Sequence, residues 1–244
     1  MTNGNTPGKC IIIGAGGGIG SNLCRRLSAA GWSLVLAGRT EDRLQPCASE
    51  CSGEVHTVDA RDFGAVEDLF RQHDDATGAV NLAGSILLKP AHSTSQEEFE
   101  ETVNENLRTA FAVVRAAGKT MRRGGGSVVL MSTCAARTGL PNHEPIAAAK
   151  GGVEALMRSA AATYASAQIR FNALAPGLVD SPLSERITGN EASLNASISM
   201  HPLGRIGKPD EVARLIAFLL DPESSWITGQ IYGIDGGVAN LRGK

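Results

Sequence analysis

The stretch that most constrains this fold lies near the start of the chain, where an apolar run meets a glycine-rich loop. Residues 9–13 contain four consecutive apolar side chains, which is typical of a parallel strand buried on both faces. Residues 14–20 follow with five glycines, and the apolar residues of 22–30 recur at helical spacing. A strand, a glycine loop and a helix in this order allow backbone N–H groups to bind an anion at the start of the helix. The stretch therefore predicts a phosphate-binding turn rather than a plain glycine-rich loop.

Apolar runs and amphipathic segments alternate along the rest of the chain. Strands are predicted at residues 33–37, 54–58, 79–83, 127–131, 169–174 and 231–234, and helices at 41–51, 62–73, 96–122, 142–165 and 209–220. Such alternation indicates right-handed βαβ units that form a parallel sheet covered by helices on both faces. We therefore predict an α/β fold, a single doubly wound Rossmann domain over residues 1–244 with about seven strands. Residues 1–8 are expected to be disordered.

The composition is that of an ordinary globular protein. The chain has 244 residues, 42% of them hydrophobic, and a net charge of -2, which gives no reason to expect nucleic acid as a partner. No apolar run approaches the roughly 20 residues that cross a bilayer, and the polar start of the chain lacks the apolar core of a signal peptide. The five scattered cysteines favour reduced thiols in the cytoplasm. No group of residues predicts a metal site.

The end of the second predicted strand bears on which dinucleotide the chain prefers. In dinucleotide-binding folds this position meets the adenosine ribose, and an acidic residue there binds the 2′-hydroxyl of NAD. Here the strand ends in Gly38 and Arg39. A guanidinium matches a 2′-phosphate in charge and geometry, so the sequence favours NADP over NAD. The alternative is that Arg39 pairs with Glu41 or Asp42 on the surface.

Several motifs occur in order over residues 9–238: the glycines at 14, 18 and 20, Asp59, the sequence Asn81-Leu82-Ala83-Gly84, Asn106 and the pair Pro176-Gly177. Together they resemble those of the short-chain dehydrogenase/reductase family, in its classical type. The resemblance assigns dinucleotide binding to Gly14, Gly16, Gly18, Ile19, Gly20, Arg39, Asp59, Ala60, Asn81, Ala83, Gly84, Lys150, Pro176, Gly177, Val179 and Ser181. Among these, it implies that Asp59 holds the adenine ring and that Pro176 and Gly177 lie beside the nicotinamide. It also implies a homotetramer, and a lid over the substrate at residues 181–200.

The family's active site combines a serine, a tyrosine about thirteen residues later and a lysine four residues after that. The resemblance implies that the tyrosine exchanges a proton with the substrate while hydride moves to or from the nicotinamide. The lysine lowers the pKa of the tyrosine and holds the ribose. In this chain Lys150 matches the lysine, Asn106 matches the asparagine of the proton relay, and Thr133, preceded by Ser132, stands for the serine.

Ile146 stands where the family has its tyrosine, and a branched alkyl group carries no proton. The two tyrosines, Tyr164 and Tyr232, each lack a lysine four residues later, so a shifted register does not restore the motif. His143 is one substitute proton donor, because histidine titrates near neutral pH; a solvated loop histidine is the alternative. Lys150, with a pKa lowered by burial, is a second substitute. A substrate that needs no proton from the protein is the third.

Two functions follow from this pattern. The first is an oxidoreductase that transfers hydride between NADP(H) and a carbonyl or alcohol, with an unusual proton donor. The alternative is a catalytically silent NADP(H)-binding sensor or interaction subunit, which fits a cofactor cradle kept beside a lost catalytic residue. Lyase or dehalogenase chemistry is a weaker third hypothesis, because such relatives usually lose the glycine cradle and keep the tyrosine. The expected partner is a small-molecule substrate.

Overall fold

The computed structural model describes residues 8–241 and contains a seven-stranded parallel sheet with helices on both faces. The strands are β1 (Lys9–Ile13), β2 (Ser33–Gly38), β3 (Glu54–Thr57), β4 (Ala76–Asn81), β5 (Gly126–Met131), β6 (Ile169–Pro176) and β7 (Ile231–Ile234). The helices are α1 (Gly18–Ala29), α2 (Glu41–Cys51), α3 (Phe63–Gln72), α4 (Gln96–Val103), α5 (Thr109–Thr120), α6 (Glu144–Tyr164), α7 (Glu185–Thr188), α8 (Glu191–Met200) and α9 (Pro209–Leu220). The predicted α/β Rossmann architecture is confirmed.

The strand order is β3-β2-β1-β4-β5-β6-β7. The order reverses between β1 and β4, and in doubly wound sheets the crevice at the carboxyl ends of such a pair is where ligands bind. All six pairings between neighbouring strands are parallel. The fold therefore places the glycine loop, which follows β1, at the mouth of that crevice.

Two apolar layers hold the helices to the sheet. Ile11 and Ile13 of β1 pack into one layer with residues of α3, α5 and α6. Cys10 and Ile12 face the opposite side, where α1, α2 and α9 complete the second layer. Because successive strand residues point to opposite faces, a strand covered on both sides has to be apolar throughout. This explains the unbroken apolar run of β1.

The helix predicted at residues 96–122 is not a continuous α-helix. A π-helical segment, Asn104–Arg108, joins α4 to α5. Side-chain donors satisfy carbonyls in this widened turn: the Asn106 amide donates to the Thr102 carbonyl (2.9 Å) and the Thr109 hydroxyl to the Glu105 carbonyl (3.0 Å). Single π turns of this kind are frequent at functional sites. The hydrophobic periodicity alone does not reveal it, since the apolar face continues through it.

Strand β4 ends two residues before its predicted end, at Asn81. The Asn81 side-chain oxygen accepts a hydrogen bond from the Ala83 backbone N–H (3.1 Å), and this local turn leads the chain out of the sheet. Residues 1–8 were predicted to be disordered, and residues 1–7 of this segment lie outside the described residues. Within residues 8–241, no helix has both the length and the apolar character needed to cross a membrane.

Candidate active site

A large cleft opens at the carboxyl edge of the sheet, above β1 and β4. Its volume is about 1170 Å³, beyond the roughly 300–1,000 Å³ typical of a pocket for one small ligand. The residues predicted for catalysis or cofactor binding that line it are Gly14, Gly16, Gly18, Ile19, Gly20, Arg39, Asp59, Ala60, Ala83, Gly84, Asn106, Ser132, Thr133, His143, Lys150, Pro176, Gly177, Val179 and Ser181. Ile146 lines it as well. The fold therefore brings together predicted site residues that are up to 167 positions apart in the sequence (Gly14 to Ser181).

Asn81 is the exception among the predicted cofactor-binding residues. Its side chain is 2% exposed and does not line the cleft. Besides accepting from the Ala83 N–H, it donates to the Thr109 hydroxyl (3.2 Å). Both polar ends of its side-chain amide already bind protein groups, so the predicted contact with the cofactor would have to come from the Asn81 backbone. Asn81 instead ties the β4 loop to α5.

The glycine loop after β1 has the close backbone approach that a pyrophosphate needs. Gly14 has φ +84°, a conformation that L side chains rarely adopt. A Cβ on Gly20 would lie 2.5 Å from the carbonyl oxygens of Gly14 and Ala15, so only glycine allows the loop to pack on α1. The N-cap of α1, Gly17, makes no side-chain capping bond, and the first turn contains no acidic residue. The free N–H groups and the helix dipole therefore suit an anion, and the loop fits a dinucleotide pyrophosphate.

Arg39, at the adenosine end of the cleft, meets a carboxylate that sequence reasoning missed. Its guanidinium donates to the Glu105 carboxylate at 2.8 Å, rather than pairing with Glu41 or Asp42. Glu105 lies in the π segment and its side chain is 9% exposed, whereas that of Arg39 is 58% exposed. Arg61 approaches the same carboxylate at 3.1 Å. Glu105 thus fixes the direction of the Arg39 side chain. The two residues are 66 positions apart in the sequence, so no local pattern predicts their pairing.

Asp59, which follows β3, is also paired with an arginine. Arg61 donates to both of its carboxylate oxygens, at 3.0 Å from Nε to Oδ1 and 2.7 Å from Nη2 to Oδ2. These hydrogen bonds hold the pKa of Asp59 below its usual range. Asp59 therefore stays an ionised acceptor at the position where the family resemblance places the adenine ring. Ala60, the next residue, is buried and presents only a methyl group.

Asn106 is buried in the π segment and anchors the loop after β4. Its amide nitrogen donates to the Ser85 hydroxyl at 3.1 Å, and its oxygen accepts from the Ser85 backbone N–H at 3.3 Å. A Cβ on Gly84 would lie 2.7 Å from that oxygen, so glycine is required at this position. Ser85 is a second site residue that sequence reasoning missed. The π turn therefore sets the position of Asn106 against the floor of the cleft.

Lys150, on α6, is the buried cation of the cleft. Its ammonium donates to the Met131 carbonyl at 2.9 Å, at the end of β5. A Cβ on Gly84 would lie 3.4 Å from Nζ, which places the ammonium beside the β4 loop and close to Asn106. Burial lowers the pKa of Lys150 to about 8, because desolvation disfavours the charged form. The sequence-based expectation of a lowered pKa has a clear structural cause here.

The two hydroxyl residues after β5 differ in what they contact. The Ser132 hydroxyl donates to the buried carboxylate of Glu154 at 2.8 Å, so it is committed to α6. Thr133 is only partly buried, and its oxygen accepts a hydrogen bond from the Ala135 N–H at 3.3 Å. The Thr133 hydroxyl proton therefore remains available to a carbonyl oxygen in the cleft. Glu154 is a third residue that sequence reasoning did not single out.

His143 caps the start of α6 from the loop before it. Its Nδ1 lies 2.7 Å from the Pro141 carbonyl oxygen. A carbonyl only accepts, so Nδ1 carries the hydrogen and Nε2 is left as the acceptor in the neutral ring. The side chain is half-buried at the cleft wall. His143 is thus placed in the entering loop, as the sequence predicted.

The wall around the predicted nicotinamide position contains a buried histidine. His201 accepts from the Leu178 N–H at Nε2 (3.2 Å), and its Nδ1 contacts the Ser197 carbonyl (2.7 Å). A Cβ on Gly177 would lie 2.5 Å from Nε2, which explains the glycine after Pro176. Both ring nitrogens of His201 are occupied. It therefore supports the turn after β6 and has no free position for proton transfer.

Residues 181–200 form a cover of short helices along one side of the cleft. The segment begins with a turn at Pro182–Ser184 and continues through α7 and α8. Leu183 is 54% exposed and Met200 43%, and both line the cleft. A Cβ on Gly18 would lie 3.0 Å from the Cβ of Ser181, so the start of this segment touches the glycine loop.

Comparison with known proteins assigns the family. A family model described as enoyl-(acyl carrier protein) reductase matches residues 14–239. The 3-oxoacyl-[acyl-carrier-protein] reductase FabG of Thermotoga maritima is 31% identical over 239 residues, which cover 94% of this chain and 96% of the relative. This chain belongs to the short-chain dehydrogenase/reductase family. The L-xylulose reductase of Bos taurus is likewise 31% identical over 232 residues, covering 94% of this chain and 95% of that one.

Solved structures match this short-chain dehydrogenase/reductase over nearly its whole length. A short-chain type dehydrogenase/reductase from Mycobacterium ulcerans has a TM-score of 0.89 at 29% identity, covering 96% of this chain and 90% of that chain. An actinorhodin polyketide ketoreductase solved with NADPH has a TM-score of 0.89 at 25% identity, and the match covers 96% of this chain and 98% of that chain. The predicted family, a group of oxidoreductases with a nucleotide-binding Rossmann fold, is confirmed.

Ile146 lies one helical turn before Lys150 in this short-chain dehydrogenase/reductase. It is 5% exposed and contributes to the cleft wall. Residues four apart on a helix share one face, so Ile146 lies beside the ammonium where the family resemblance places a phenol. The cofactor end of the cleft therefore has the charged side chains of Arg39 and Asp59, whereas this wall has an alkyl group at the position four residues before Lys150.

Proposed function

We propose that this protein is an NADP(H)-dependent oxidoreductase that interconverts a carbonyl and an alcohol, with Lys150 in place of a tyrosine as the proton-exchanging group. When bound, the nicotinamide supplies or accepts the hydride. The glycine loop binds the pyrophosphate and Lys150 reaches the ribose. The Thr133 hydroxyl donates to the substrate carbonyl oxygen and so orients it.

The burial of Lys150 is the observation that carries this proposal. A lysine with an ordinary pKa near 10.4 holds its proton too tightly to exchange it readily at neutral pH. With its pKa lowered to about 8, the ammonium releases a proton to a developing alkoxide and is recharged from solvent near neutral pH. In the reverse direction the neutral amine accepts the alcohol proton. Asn106, which Ser85 holds in place, lies near the Lys150 ammonium across Gly84.

His143 is the second candidate for the same step. Its Nε2 is the free ring nitrogen, and the side chain lines the cleft. We favour Lys150 because it is fully buried beside the β4 loop, whereas His143 belongs to the loop at the mouth. If Lys150 exchanges the proton, Lys150→Met loses turnover and His143→Ala keeps it. If His143 does so, His143→Ala loses turnover.

The proposed preference for NADP rests on Arg39. Glu105 holds this guanidinium at the adenosine end while more than half of its side chain stays exposed to a ligand. Arg39→Ala should weaken NADPH binding by about 10–150-fold, the range for a hydrogen bond to a charged group, and leave NADH binding unchanged. Dissociation constants from nucleotide fluorescence titration measure both. An equal loss of affinity for NADPH and NADH in Arg39→Ala would contradict the preference for NADP.

We further propose that residues 181–200 act as a lid over a small-molecule substrate, and that the protein is a cytoplasmic homotetramer. Five free, buried cysteines accord with a reducing compartment. Phe99 and Phe111 are 44% and 46% exposed along the helices from Gln96 to Thr120, which accords with a helix-pair interface. Light scattering at micromolar concentration should give four chains, and Phe111→Arg should lower that number. A monomeric wild type would refute the tetramer.

The decisive experiment compares wild type with Ile146→Tyr in NADPH oxidation over a panel of ketones, aldehydes and quinones. Turnover by wild type supports the proposal, and the His143→Ala variant should then retain it. Turnover by Ile146→Tyr alone, with NADPH bound equally by both proteins, would favour the silent sensor or interaction subunit instead. Failure of wild type to bind NADPH would refute both functions.

A further inference from the structure

A second group of chemically reactive side chains lies at the opposite, amino edge of the sheet. Glu54 and His56 are on β3, and His73 caps the carboxyl end of α3. One ligand atom from each lies within 4.8 Å of the other two. None of the three lines the dinucleotide cleft. This group, here called the His–Glu cluster, therefore has no part in the proposed oxidoreductase site.

The geometry of β3 directs the cluster toward α3. Residues two apart in a strand share a face, so Glu54 and His56 point the same way. Val55, between them, packs into the layer formed with α1 and α2, so its neighbours face the α3 side. His73 meets them there and is itself 5% exposed. Two secondary-structure elements that are otherwise joined by a loop thus converge on one point.

The separations between the three atoms suit direct coordination of one metal ion. His56 Nε2 lies 2.9 Å from Glu54 Oε1 and 3.0 Å from His73 Nε2, and His73 Nε2 lies 3.7 Å from Glu54 Oε1. Tetrahedral zinc with nitrogen and oxygen ligands at about 2.0–2.1 Å requires ligand atoms about 3.4 Å apart. The observed values lie on both sides of that distance. Small side-chain rotations are enough to equalise them.

The three ligand atoms of this cluster converge on one another. His56 Nε2 lies within hydrogen-bonding distance of both Glu54 Oε1 and His73 Nε2. Each ring nitrogen has one in-plane position, either a hydrogen or a lone pair. His56 Nε2 therefore makes only one of these two contacts in good geometry, whereas a divalent cation would bind one lone pair from each of the three residues.

We propose that Glu54, His56 and His73 bind one divalent transition-metal ion of the zinc type, with water completing the coordination. Two imidazoles and a carboxylate are ligands that Zn²⁺ accepts readily. Each ring would bind through Nε2 and carry its hydrogen on Nδ1. The ion would fasten β3, the edge strand of the sheet, to the end of α3. The site is therefore structural. It was not predicted from the sequence because His73 lies 17 residues from His56.

Zinc titration of the full chain tests the proposal. The protein is freed of any affinity tag and treated with chelator, and ZnCl₂ is then added in a calorimeter. We expect one ion per chain. At free zinc about 100 times the dissociation constant, the melting temperature should rise by about 5–10 °C, since only the folded chain presents the three ligands together. Co²⁺ in place of zinc should give visible ligand-field absorption of low-symmetry coordination.

Matched variants locate the ion. Glu54→Gln and His56→Gln, at the two more exposed ligands, should each weaken zinc binding at least tenfold without unfolding the protein. His92→Gln alters an exposed histidine elsewhere and should change nothing. Cys47→Ser tests the buried thiols as the competing ligand set and should also leave zinc binding intact. Zinc binding that persists in both ligand variants, that is lost in Cys47→Ser instead, or that is absent from wild type would overturn the proposal.

Discussion

The two sides of the cleft obey different physical rules. The cofactor side, formed by the loops after β1 to β4, relies on backbone geometry: Gly14 at positive φ, Gly20 against its own loop, and an uncapped helix start. The side proposed for proton transfer, called the proton-transfer side and spanning Met131 to Val153, relies on individual side chains, and one of them is Ile146. A glycine that is needed for its backbone conformation tolerates almost no substitution, whereas a side chain on a regular helix can be replaced without altering the fold. Substitution therefore changes the catalytic side chains of this fold more easily than its cofactor-binding loop.

The largest expected effect tests whether the proton-transfer side still performs chemistry. Lys150→Met removes the ammonium and keeps most of the side-chain volume, so turnover should fall by about 10²–10⁴-fold, as for loss of a general acid. In wild type, carbonyl reduction should decline above about pH 8, because the donor is then deprotonated. Steady-state rates from pH 6 to 10 check both. Unchanged turnover in Lys150→Met would assign the proton to His143 or to solvent.

A change on the cofactor side should act through binding. Gly20→Val places a side chain where the carbonyls of Gly14 and Ala15 lie within 2.5 Å of its Cβ, so the loop has to shift. A misplacement on the order of an ångström should weaken NADPH binding on the order of a hundredfold. Gly139→Ala is the control, because a Cβ there has no neighbour within 4 Å. Circular dichroism separates lost binding from lost folding.

The buried ammonium should also appear in the pH dependence of stability. Between pH 8 and about 10.5 the unfolded chain keeps the Lys150 proton while the folded chain has released it, so the free energy of unfolding rises with pH in this window. Below pH 8 the charged lysine is a penalty of about 3 kcal/mol, the equivalent of its pKa shift. Urea unfolding from pH 7 to 11 should show that the difference in the free energy of unfolding between wild type and Lys150→Met shrinks as the pH rises. A constant difference would contradict the lowered pKa.

The smallest expected effect separates two neighbours on the proton-transfer side. Ser132→Ala leaves the Glu154 carboxylate without its hydroxyl partner and should cost about 1–3 kcal/mol of stability, with little change in turnover. Thr133→Val should lower kcat and leave stability nearly unchanged. Thermal unfolding and steady-state kinetics on both variants give the comparison. The opposite outcome would move the catalytic hydroxyl to Ser132.

Local patterns located much of the fold. The bounds of β1, α2, α9 and β7 coincide with their predictions, because each segment is an apolar run or an amphipathic pattern that ends close to a glycine or a proline. The π segment and the early end of β4 were missed. Both depend on side-chain hydrogen bonds, those of Asn106 and Asn81, that hydrophobic spacing does not report. The same limit applies to the site, where the partners Glu105, Ser85 and Glu154 went unrecognised.

The sequence by itself determined the alternation of strands and helices, the glycine turn and the absence of a tyrosine at position 146. Burial periodicity and glycine's freedom at positive φ are local properties, so they are readable from neighbouring residues. Only the tertiary structure decided the environment of Lys150, the pairing of Arg39 with Glu105 and the meeting of His56 with His73. Electrostatic interactions and coordination depend on distances of a few ångströms between side chains far apart in the chain, and folding alone sets those distances.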